Sequence, residues 1–225
     1  MASETEHLAS LGLYRIPEAV RLLRATPPLA NGYTVQPSKL RYWISTSTVP
    51  VRRITPFRYP FITFRDLISM RLVAVLRSRG VTLREAREIE GWMRDNMQIQ
   101  WPFISRPLWT YASEVYTEFE RHLINVSKFG QQAMDFLRDW LTNVDLDMSF
   151  DDNDLVATWL PHEDITIDPA VQIGQPCISE TRIPSKTIWG KLRAGDSVEV
   201  VARLYDLTEE QIRHANEWES SLLAA

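Results

Sequence analysis

Two short amphipathic segments separated by a tight turn, within residues 197–218, most constrain how this chain can fold. Ser197 and Thr208 are favoured N-cap residues for two successive helices. Gln211 follows Thr208 by three positions, which is the spacing of a capping box. Apolar residues recur at helical spacing in both segments: Val198, Val201, Ala202 and Tyr205, then Ile212, Ala215 and Trp218. The pattern predicts a helix–turn–helix.

The residues before this helix pair alternate as short strands do. Ile165 and Ile167 flank Thr166, and Asp168 with Pro169 then favours a turn. A short apolar run lies between Gly174 and Pro176 on one side and the segment TRIP at 181–184 on the other. Ile188, Trp189 and Leu192 then follow at helical spacing. The sequence therefore predicts an extended prefix and three helices.

The order of three segments in this region resembles a known family. They are IDP at 167–169, GQPCISETRIP at 174–184 and LRAGDSVEVVARLYDLTEEQIRHA at 192–215. Together they resemble the small domain of unknown function 433, which usually has Gly-Thr-Arg where this chain has Glu180-Thr181-Arg182. The resemblance implies an antitoxin of a toxin–antitoxin pair, often encoded beside a PIN-domain ribonuclease toxin. A generic three-helix domain is the alternative.

Composition excludes several classes of protein. No apolar run reaches the length of a membrane span, and the polar start MASETEHLAS is unlike a signal peptide. The single cysteine, Cys177, excludes an internal disulfide and any zinc site built from several cysteines. We therefore expect a cytoplasmic protein with a loose leader at residues 1–12.

The net charge of −4 conceals a strong asymmetry along the chain. Residues 1–107 hold 16 Lys and Arg against 8 Asp and Glu, whereas residues 108–225 hold 9 against 21. The front of the chain, residues 1–107, thus has a net charge of +8, and the back, residues 108–225, has a net charge of −12. Such a split favours a nucleic-acid-binding front and an acidic back, although solvated faces also produce imbalance.

The front begins with a predicted pair of short helices. Pro17 suits the first turn of a helix, and the segment SKLRYWIS at 38–45 predicts a second, basic helix. A basic second helix can enter the major groove of DNA. The side chains predicted to face outward toward DNA are Ser38, Lys39, Arg41 and Tyr42. An amphipathic helix pair with a solvated basic face is the alternative.

The segment VPVRRITPFRYPFITF at 49–64 has three prolines and no helical period. It is compatible with an extended ribbon or wing, in which Arg52, Arg53 and Arg58 could contact phosphates. Two further helices are predicted after it, because Thr63 with Asp66 and Thr82 with Glu85 stand at helix starts.

This order of helix, basic helix, wing and two helices is similar to the DNA-binding domain of the MerR family. The segment FRDLISMRLVAVLRSRGVTLREAREI at 64–89 carries part of the resemblance, which spans roughly Tyr14 to Met97. One departure is the stretch Arg24–Val35, which replaces the usual tight turn. The coiled coil of many MerR proteins does not follow.

The middle of the chain, residues 108–160, is predicted to be a connecting or dimerisation segment. Leu123–Val126 suits a hairpin, and Gln131–Leu141 has helical spacing. Val144–Trp159 resembles strand material broken by an acidic turn at 151–154.

No catalytic or metal site is predicted. The acidic cluster around residues 145–154 lacks the glycine and final glutamate of a calcium loop, so an acidic turn explains it better. The four histidines show no ligand spacing, and Cys177 lies in an apolar run that favours a buried, inert thiol. We therefore expect no cofactor, no metal and no enzymatic activity.

These observations define a mainly α fold with small β elements. It comprises a MerR-like winged helix–turn–helix domain at 13–107, a β-containing connecting segment at 108–160, and a homeodomain-like helix–turn–helix domain at 161–225. The combination resembles a VapB-type antitoxin, which implies binding to a PIN-domain ribonuclease toxin and to operator DNA. A homodimer or a toxin–antitoxin hetero-oligomer would follow. Alternatives are a dimeric transcription regulator without a toxin partner and a nucleic-acid-processing accessory enzyme.

The acidic turn of the second helix–turn–helix, with Asp206, Glu209 and Glu210, would repel phosphates, so we predict a protein interface there. An inhibitor of a carboxylate-rich ribonuclease can insert a cation into its site or cover the cleft. Arg182 is the first candidate, because the residues on either side of it would hold it on a rigid turn. Arg193 and Arg213 are weaker candidates, since arginines on helices are often paired with nearby acids. A purely structural role for Arg182 is the alternative.

Overall fold

The computed structural model describes residues 11–25, 32–46, 61–110 and 148–224 of the chain. Its α-helices are α1 Ile16–Ala25, α2 Pro37–Ser45, α3 Phe64–Ser78, α4 Leu83–Met97, α5 Arg106–Thr110, α6 Ser185–Arg193, α7 Val198–Tyr205 and α8 Glu209–Ala224. Its strands are β1 Leu13–Tyr14, β2 Ile62–Thr63, β3 Met148–Phe150, β4 Val156–His162, β5 Ile165–Ile167 and β6 Cys177–Ile178. Short 3-10 turns occur at Pro102–Ile104 and Gln172–Gly174. The described fold is mainly helical with small antiparallel sheets, which confirms that part of the expectation.

The strands form two separate sheets. β1 pairs with β2, so that Leu13 lies opposite Thr63. β3, β4, β5 and β6 form an antiparallel meander in chain order, and the Ile side chains of β5 are fully buried. The alternation at 165–167 therefore marks a real strand with one buried face. The predicted hairpin at Leu123–Val126 and the predicted helix at Gln131–Leu141 lie outside the described residues.

The predicted helix starts are present as real caps. The hydroxyl of Thr63 accepts a hydrogen bond from the Asp66 amide, and the Asp66 carboxylate accepts one from the Thr63 amide. Thr82 and Glu85 form the same reciprocal pair at the start of α4. At α8, the Thr208 amide donates to Gln211 Oε1 at 3.0 Å. These caps satisfy amides that a helix cannot satisfy internally and so fix where each helix begins.

A continuous apolar core joins the front helices to the back of the chain. Helix α1 contacts α2 and α3 on one side and α8 on another. The largest side chains buried in this core are Trp43, Phe64, Trp159 and Trp218. The Arg71 guanidinium is also buried, with its centre 5.1 Å from the Trp159 ring centre, and burial lowers the pKa of Arg71 to about 10. The domain boundaries expected from the sequence remain a prediction. The described segments on the two sides of these boundaries pack against each other.

Gly12, which directly precedes β1, lies close to Gly174 in the 3-10 turn at Gln172–Gly174. The Tyr14 hydroxyl donates a hydrogen bond of 2.8 Å to the Gly174 carbonyl oxygen. Gly174 has φ of +80°, and a Cβ at this position would lie 2.5 Å from the Tyr14 hydroxyl and 3.0 Å from Gly12 Cα. Both the backbone conformation and the space therefore require glycine at 174.

The acidic turn between β3 and β4 is tied to the basic front by two ion pairs. Asp151 pairs with Arg65 of α3, and Asp154 lies 2.7 Å from Arg106 of α5. Asp151 also accepts hydrogen bonds from the Leu155 and Asn153 amides, which shape the turn. The predicted acidic turn is therefore present in this part of the described chain, and its carboxylates fasten one half of the molecule to the other.

None of the helices that the structure describes is long and apolar enough to cross a bilayer.

Candidate DNA-binding and partner interfaces

Helix α2 presents a polar face to solvent opposite the face that packs onto α1. Leu40 and Trp43 are buried, whereas Ser38, Arg41 and Tyr42 are exposed, with 58% of Tyr42 accessible. Among the described residues, none makes a hydrogen bond or ion pair with the Arg41 side chain. This face therefore offers a free guanidinium and a phenol, which are both suited to contacts with phosphates or base edges.

Lys39 differs from the other candidates on α2, because its ammonium group already has partners. Its Nζ lies 4.2 Å from the centre of the Tyr33 ring and donates a hydrogen bond of 3.1 Å to the Thr34 carbonyl oxygen. Lys39 thus braces the segment that leads into α2. The three candidates of the predicted wing, Arg52, Arg53 and Arg58, lie outside the described residues, and their role stays a prediction.

The candidate Arg182 lies exposed on a hydrogen-bonded turn between β6 and α6. The Thr181 hydroxyl donates to the Ile178 carbonyl at 2.8 Å and accepts from the Ile183 amide at 3.1 Å. The Gln172 side chain donates to the Arg182 carbonyl oxygen at 3.0 Å. No described residue pairs with the guanidinium of Arg182. The backbone is therefore fixed while the charged group stays available.

The other two arginine candidates are already engaged. The Arg193 guanidinium lies 5.5 Å from the centre of the Trp189 ring on the same helix. Arg213 forms an ion pair with Glu209 one turn earlier on α8. Each cation would have to leave its partner before meeting another protein, so the geometry ranks Arg182 first.

A small cavity of about 270 Å³ lies beside Arg182. Cys177 and Asp168 help to line it, together with the turn at Glu180 and Thr181. Burial raises the pKa of the Cys177 thiol to about 11, despite the opposing effect of nearby Arg182. At neutral pH the thiol is therefore protonated and a poor nucleophile, as its apolar sequence context predicts.

The helix pair α7–α8 presents an apolar and acidic surface. Val200 and Leu204, four residues apart on α7, are 45% and 61% exposed. Asp206, Glu209 and Glu210, at the turn into α8, are exposed as well. This combination would repel a phosphate backbone and suits contact with another protein.

A histidine cluster that the sequence spacing did not predict joins the β4–β5 turn to α8. His214 Nδ1 lies 2.8 Å from Asp164 Oδ2, and its Nε2 lies 3.7 Å from Glu163. His162 stands with its ring centre 5.8 Å from that of His214 and its Nε2 3.9 Å from Glu217. These residues are about 50 positions apart in sequence, so only the fold brings them together. The described residues contain no group of three or more His, Cys, Asp or Glu side chains placed to hold a metal ion.

The back of the chain matches a family model described as a protein of unknown function, DUF433. The match covers residues 165–218, from β5 through most of α8. The chain thus carries a DUF433 domain at its C-terminal side, which confirms this part of the resemblance seen in the sequence. Among curated proteins, no sequence matches the chain.

The whole fold is similar to a solved structure, the X-ray crystal structure of Rv2018 from Mycobacterium tuberculosis. The similarity covers 92% of this chain and 97% of that chain, with a TM-score of 0.69 and 21% sequence identity. At this identity the likeness shows the fold alone. It nevertheless extends well beyond the DUF433 domain to the helices in front of it.

Proposed function

We propose that the protein is the antitoxin of a type II toxin–antitoxin pair. It binds and neutralises a PIN-domain ribonuclease toxin, and it binds operator DNA to repress its own operon. The observation that carries the proposal is the presence, on one chain, of a DUF433 domain and a helix with Arg41 and Tyr42 free in solvent. In this proposal the protein is cytoplasmic, has no catalytic role and needs no cofactor.

The DNA-binding part of the proposal rests on α1 and α2. In a MerR-like winged helix–turn–helix, the second helix lies in the major groove while the first supports it. Helix α1 contacts α2 in this way and is itself supported from behind by α8. Arg41 and Tyr42 are then the groups that reach the bases, and the wing arginines 52, 53 and 58 contact phosphates.

The toxin-binding part rests on the DUF433 domain. Its α7–α8 pair has a homeodomain-like order, but its exposed Asp206, Glu209 and Glu210 disfavour DNA. We therefore assign this domain to protein contacts. Arg182, held on a rigid turn with its guanidinium free, is the group that enters the carboxylate-rich site of the toxin.

Substituting Arg182 by Ala tests this mode of neutralisation. Because the side chain is exposed and no described residue forms a hydrogen bond or ion pair with its guanidinium, Arg182→Ala should fold normally and weaken inhibition of the ribonuclease at least about tenfold. Arg193→Ala is the matched control, since its guanidinium rests on Trp189. A folded Arg182→Ala variant that inhibits at full strength would leave steric covering of the toxin as the better mechanism.

Co-expression with the product of the neighbouring gene tests the function itself. If that product has a PIN-like carboxylate cluster, the full chain should capture it through the DUF433 domain, and the complex should retain DNA binding. Full-length protein is needed, because α8 covers part of α1. Specific binding to its own promoter without capture of the neighbour would favour a transcription regulator with no toxin partner.

A further inference from the structure

The turn that precedes β6 has three consecutive residues in the left-handed backbone conformation. Gln172, Ile173 and Gly174 have φ values of 48°, 58° and 80°. A β-branched residue such as Ile173 seldom adopts this conformation, and since its side chain is 50% exposed, burial compensates for the strain only in part. Strain of this kind persists only where the surrounding structure imposes it, and it is concentrated at functional positions. The contacts of residues 172–174 therefore point to the role of the turn.

One contact attaches this left-handed turn to the front of the chain. The Tyr14 hydroxyl donates a hydrogen bond of 2.8 Å to the Gly174 carbonyl oxygen. Tyr14 is buried in β1, which pairs with β2 and is followed directly by α1. The turn belongs to the DUF433 domain by sequence, but its backbone is thus held by a strand of the predicted DNA-binding part of the chain.

A second contact leads from the same turn to Arg182. The Gln172 side chain donates a hydrogen bond of 3.0 Å from its amide nitrogen to the Arg182 carbonyl oxygen. Backbone conformation sets the direction in which a side chain leaves the chain, so the left-handed φ of Gln172 contributes to this approach. The Arg182 turn is also closed internally, because the Ile178 amide donates to the Ile183 carbonyl oxygen at 2.9 Å. Gln172 adds a restraint from outside that turn.

The restraint matters because two carboxylates lie near the Arg182 side chain. Asp168 and Glu180 line the same cavity as Arg182, and among the described residues neither forms an ion pair with it. Asp168 instead accepts a hydrogen bond of 2.8 Å from the Ala170 amide. A rotation of the Arg182 backbone would let its guanidinium meet one of these carboxylates and would withdraw the cation from a partner. A hydrogen bond that holds the Arg182 carbonyl in place opposes such pairing.

We propose that Gln172 is a positioning residue for Arg182, and that Tyr14 holds Gln172 in place through Gly174. The front of the chain then sets the orientation in which the DUF433 domain presents its inhibitory arginine to the toxin. Neither Gln172 nor Tyr14 touches the toxin. They act by ordering the Arg182 turn before binding, which lowers the entropic cost of the complex. This inference rests on the proposed function and adds to it the residues that orient Arg182.

A double-mutant cycle tests the proposal, with inhibition of the ribonuclease encoded by the neighbouring gene as the readout. Gln172→Ala removes the amide but keeps a Cβ at the strained position. It should raise the dissociation constant of the full chain for the ribonuclease about fivefold, as the loss of one hydrogen bond implies. In an Arg182→Ala background the same substitution should have no further effect, because it acts through that arginine. Tyr14→Phe, which removes only the hydroxyl, should show the same dependence on Arg182.

Gln175→Ala is the matched control, because Gln175 is exposed in the same segment and no described residue forms a hydrogen bond with its side chain. It should inhibit like the wild type, and thermal melting checks that every variant folds. If Tyr14→Phe is unstable, the exposed Gln172 variant decides the outcome.

Full inhibition by Gln172→Ala overturns the proposal. So does a loss of equal size with and without Arg182, which a merely structural effect would give. A folded Tyr14→Phe variant that inhibits fully removes the front of the chain from the mechanism. A wild-type chain that does not inhibit the ribonuclease contradicts the proposed function itself, and this inference with it.

Discussion

At the scale of single residues, Glu180 occupies a backbone conformation that suits glycine better. Its φ is 62°, in the turn between β6 and α6, where the related family usually has glycine. The left-handed conformation costs a non-glycine residue about 1 kcal/mol, although glycine loses more entropy on folding. We therefore expect Glu180→Gly to leave the free energy of unfolding unchanged or to raise it by up to about 1 kcal/mol.

The matched variant Glu180→Val should lower that free energy by about 1–2 kcal/mol, because β-branched residues tolerate this conformation least. Urea unfolding followed by circular dichroism measures both effects. A Val variant as stable as the wild type would show that the turn adjusts without strain. The sequence departs from the family at this position, but the structure retains the turn that glycine would form.

His214, at the junction between the β4–β5 turn and α8, makes the stability of the fold depend on pH. The hydrogen bond with Asp164, assisted by Glu163 and Glu217, raises the pKa of His214 above its ordinary value of 6.5. Protonated His214 is therefore favoured by folding. Its contribution is fully present below about pH 6.5 and is lost as pH rises through the higher folded-state pKa.

Comparison of the wild type with His214→Gln tests this dependence. The difference in melting temperature should be larger at about pH 6 than at a pH above the raised folded-state pKa, where the His214 imidazole is neutral. The second histidine of the cluster, His162, faces Glu217 and Trp218, so each melt is repeated in a His162→Gln background. A difference that is constant with pH would exclude the ion pair with Asp164 as its cause.

At the scale of elements, α2 carries both a side chain that we propose to contact DNA and one that braces the fold. No described residue pairs with the Arg41 guanidinium, whereas Lys39 contacts Tyr33 and the Thr34 carbonyl oxygen. Arg41→Ala should leave the melting temperature unchanged and weaken discrimination between operator and random DNA by about 1–3 kcal/mol. Lys39→Ala should lower thermal stability and weaken binding to both DNAs alike. Fluorescence anisotropy at a fixed salt concentration measures these effects.

The opposite pattern would contradict this assignment. If Lys39→Ala keeps its melting temperature and loses only sequence discrimination, the lysine moves away from Tyr33 and contacts a base when DNA binds.

The positions of the helices were largely predictable from the sequence, because caps and apolar spacing are local signals. Thr63 with Asp66, Thr82 with Glu85, and Thr208 with Gln211 all mark helix starts that the structure has. The partners of Lys39 depend on how the preceding loop folds back, which spacing alone does not encode.

At the scale of the whole molecule, part of the charge asymmetry holds the chain together. Arg65 and Arg106 of the basic front pair with Asp151 and Asp154 of the acidic back, and Arg71 is buried against Trp159. These three arginines contribute to the net positive charge of residues 1–107, but their side chains contact residues of the back. The net charge along the sequence therefore overstates the surface that could attract DNA.

The packing of the DUF433 domain against α1 was not predictable from the sequence. Capping residues and apolar spacing describe each helix singly, whereas the contact of Tyr14 with Gly174 joins positions 160 residues apart. The candidate site was predictable in outline, because Arg41, Tyr42 and Arg182 are exposed as expected. Their ranking required knowledge of which neighbouring groups already engage Lys39, Arg193 and Arg213.

The central claim is that the partner of this chain is a PIN-type ribonuclease encoded by the neighbouring gene, and titration of that gene's product with the full-length chain tests it most directly. The account predicts that RNA cleavage falls in proportion to added protein and stops at a fixed molar ratio, as tight binding requires. It also predicts that the resulting complex still binds promoter DNA with an affinity that decreases steeply with salt. Undiminished cleavage in the presence of excess folded chain would contradict the assignment as an antitoxin.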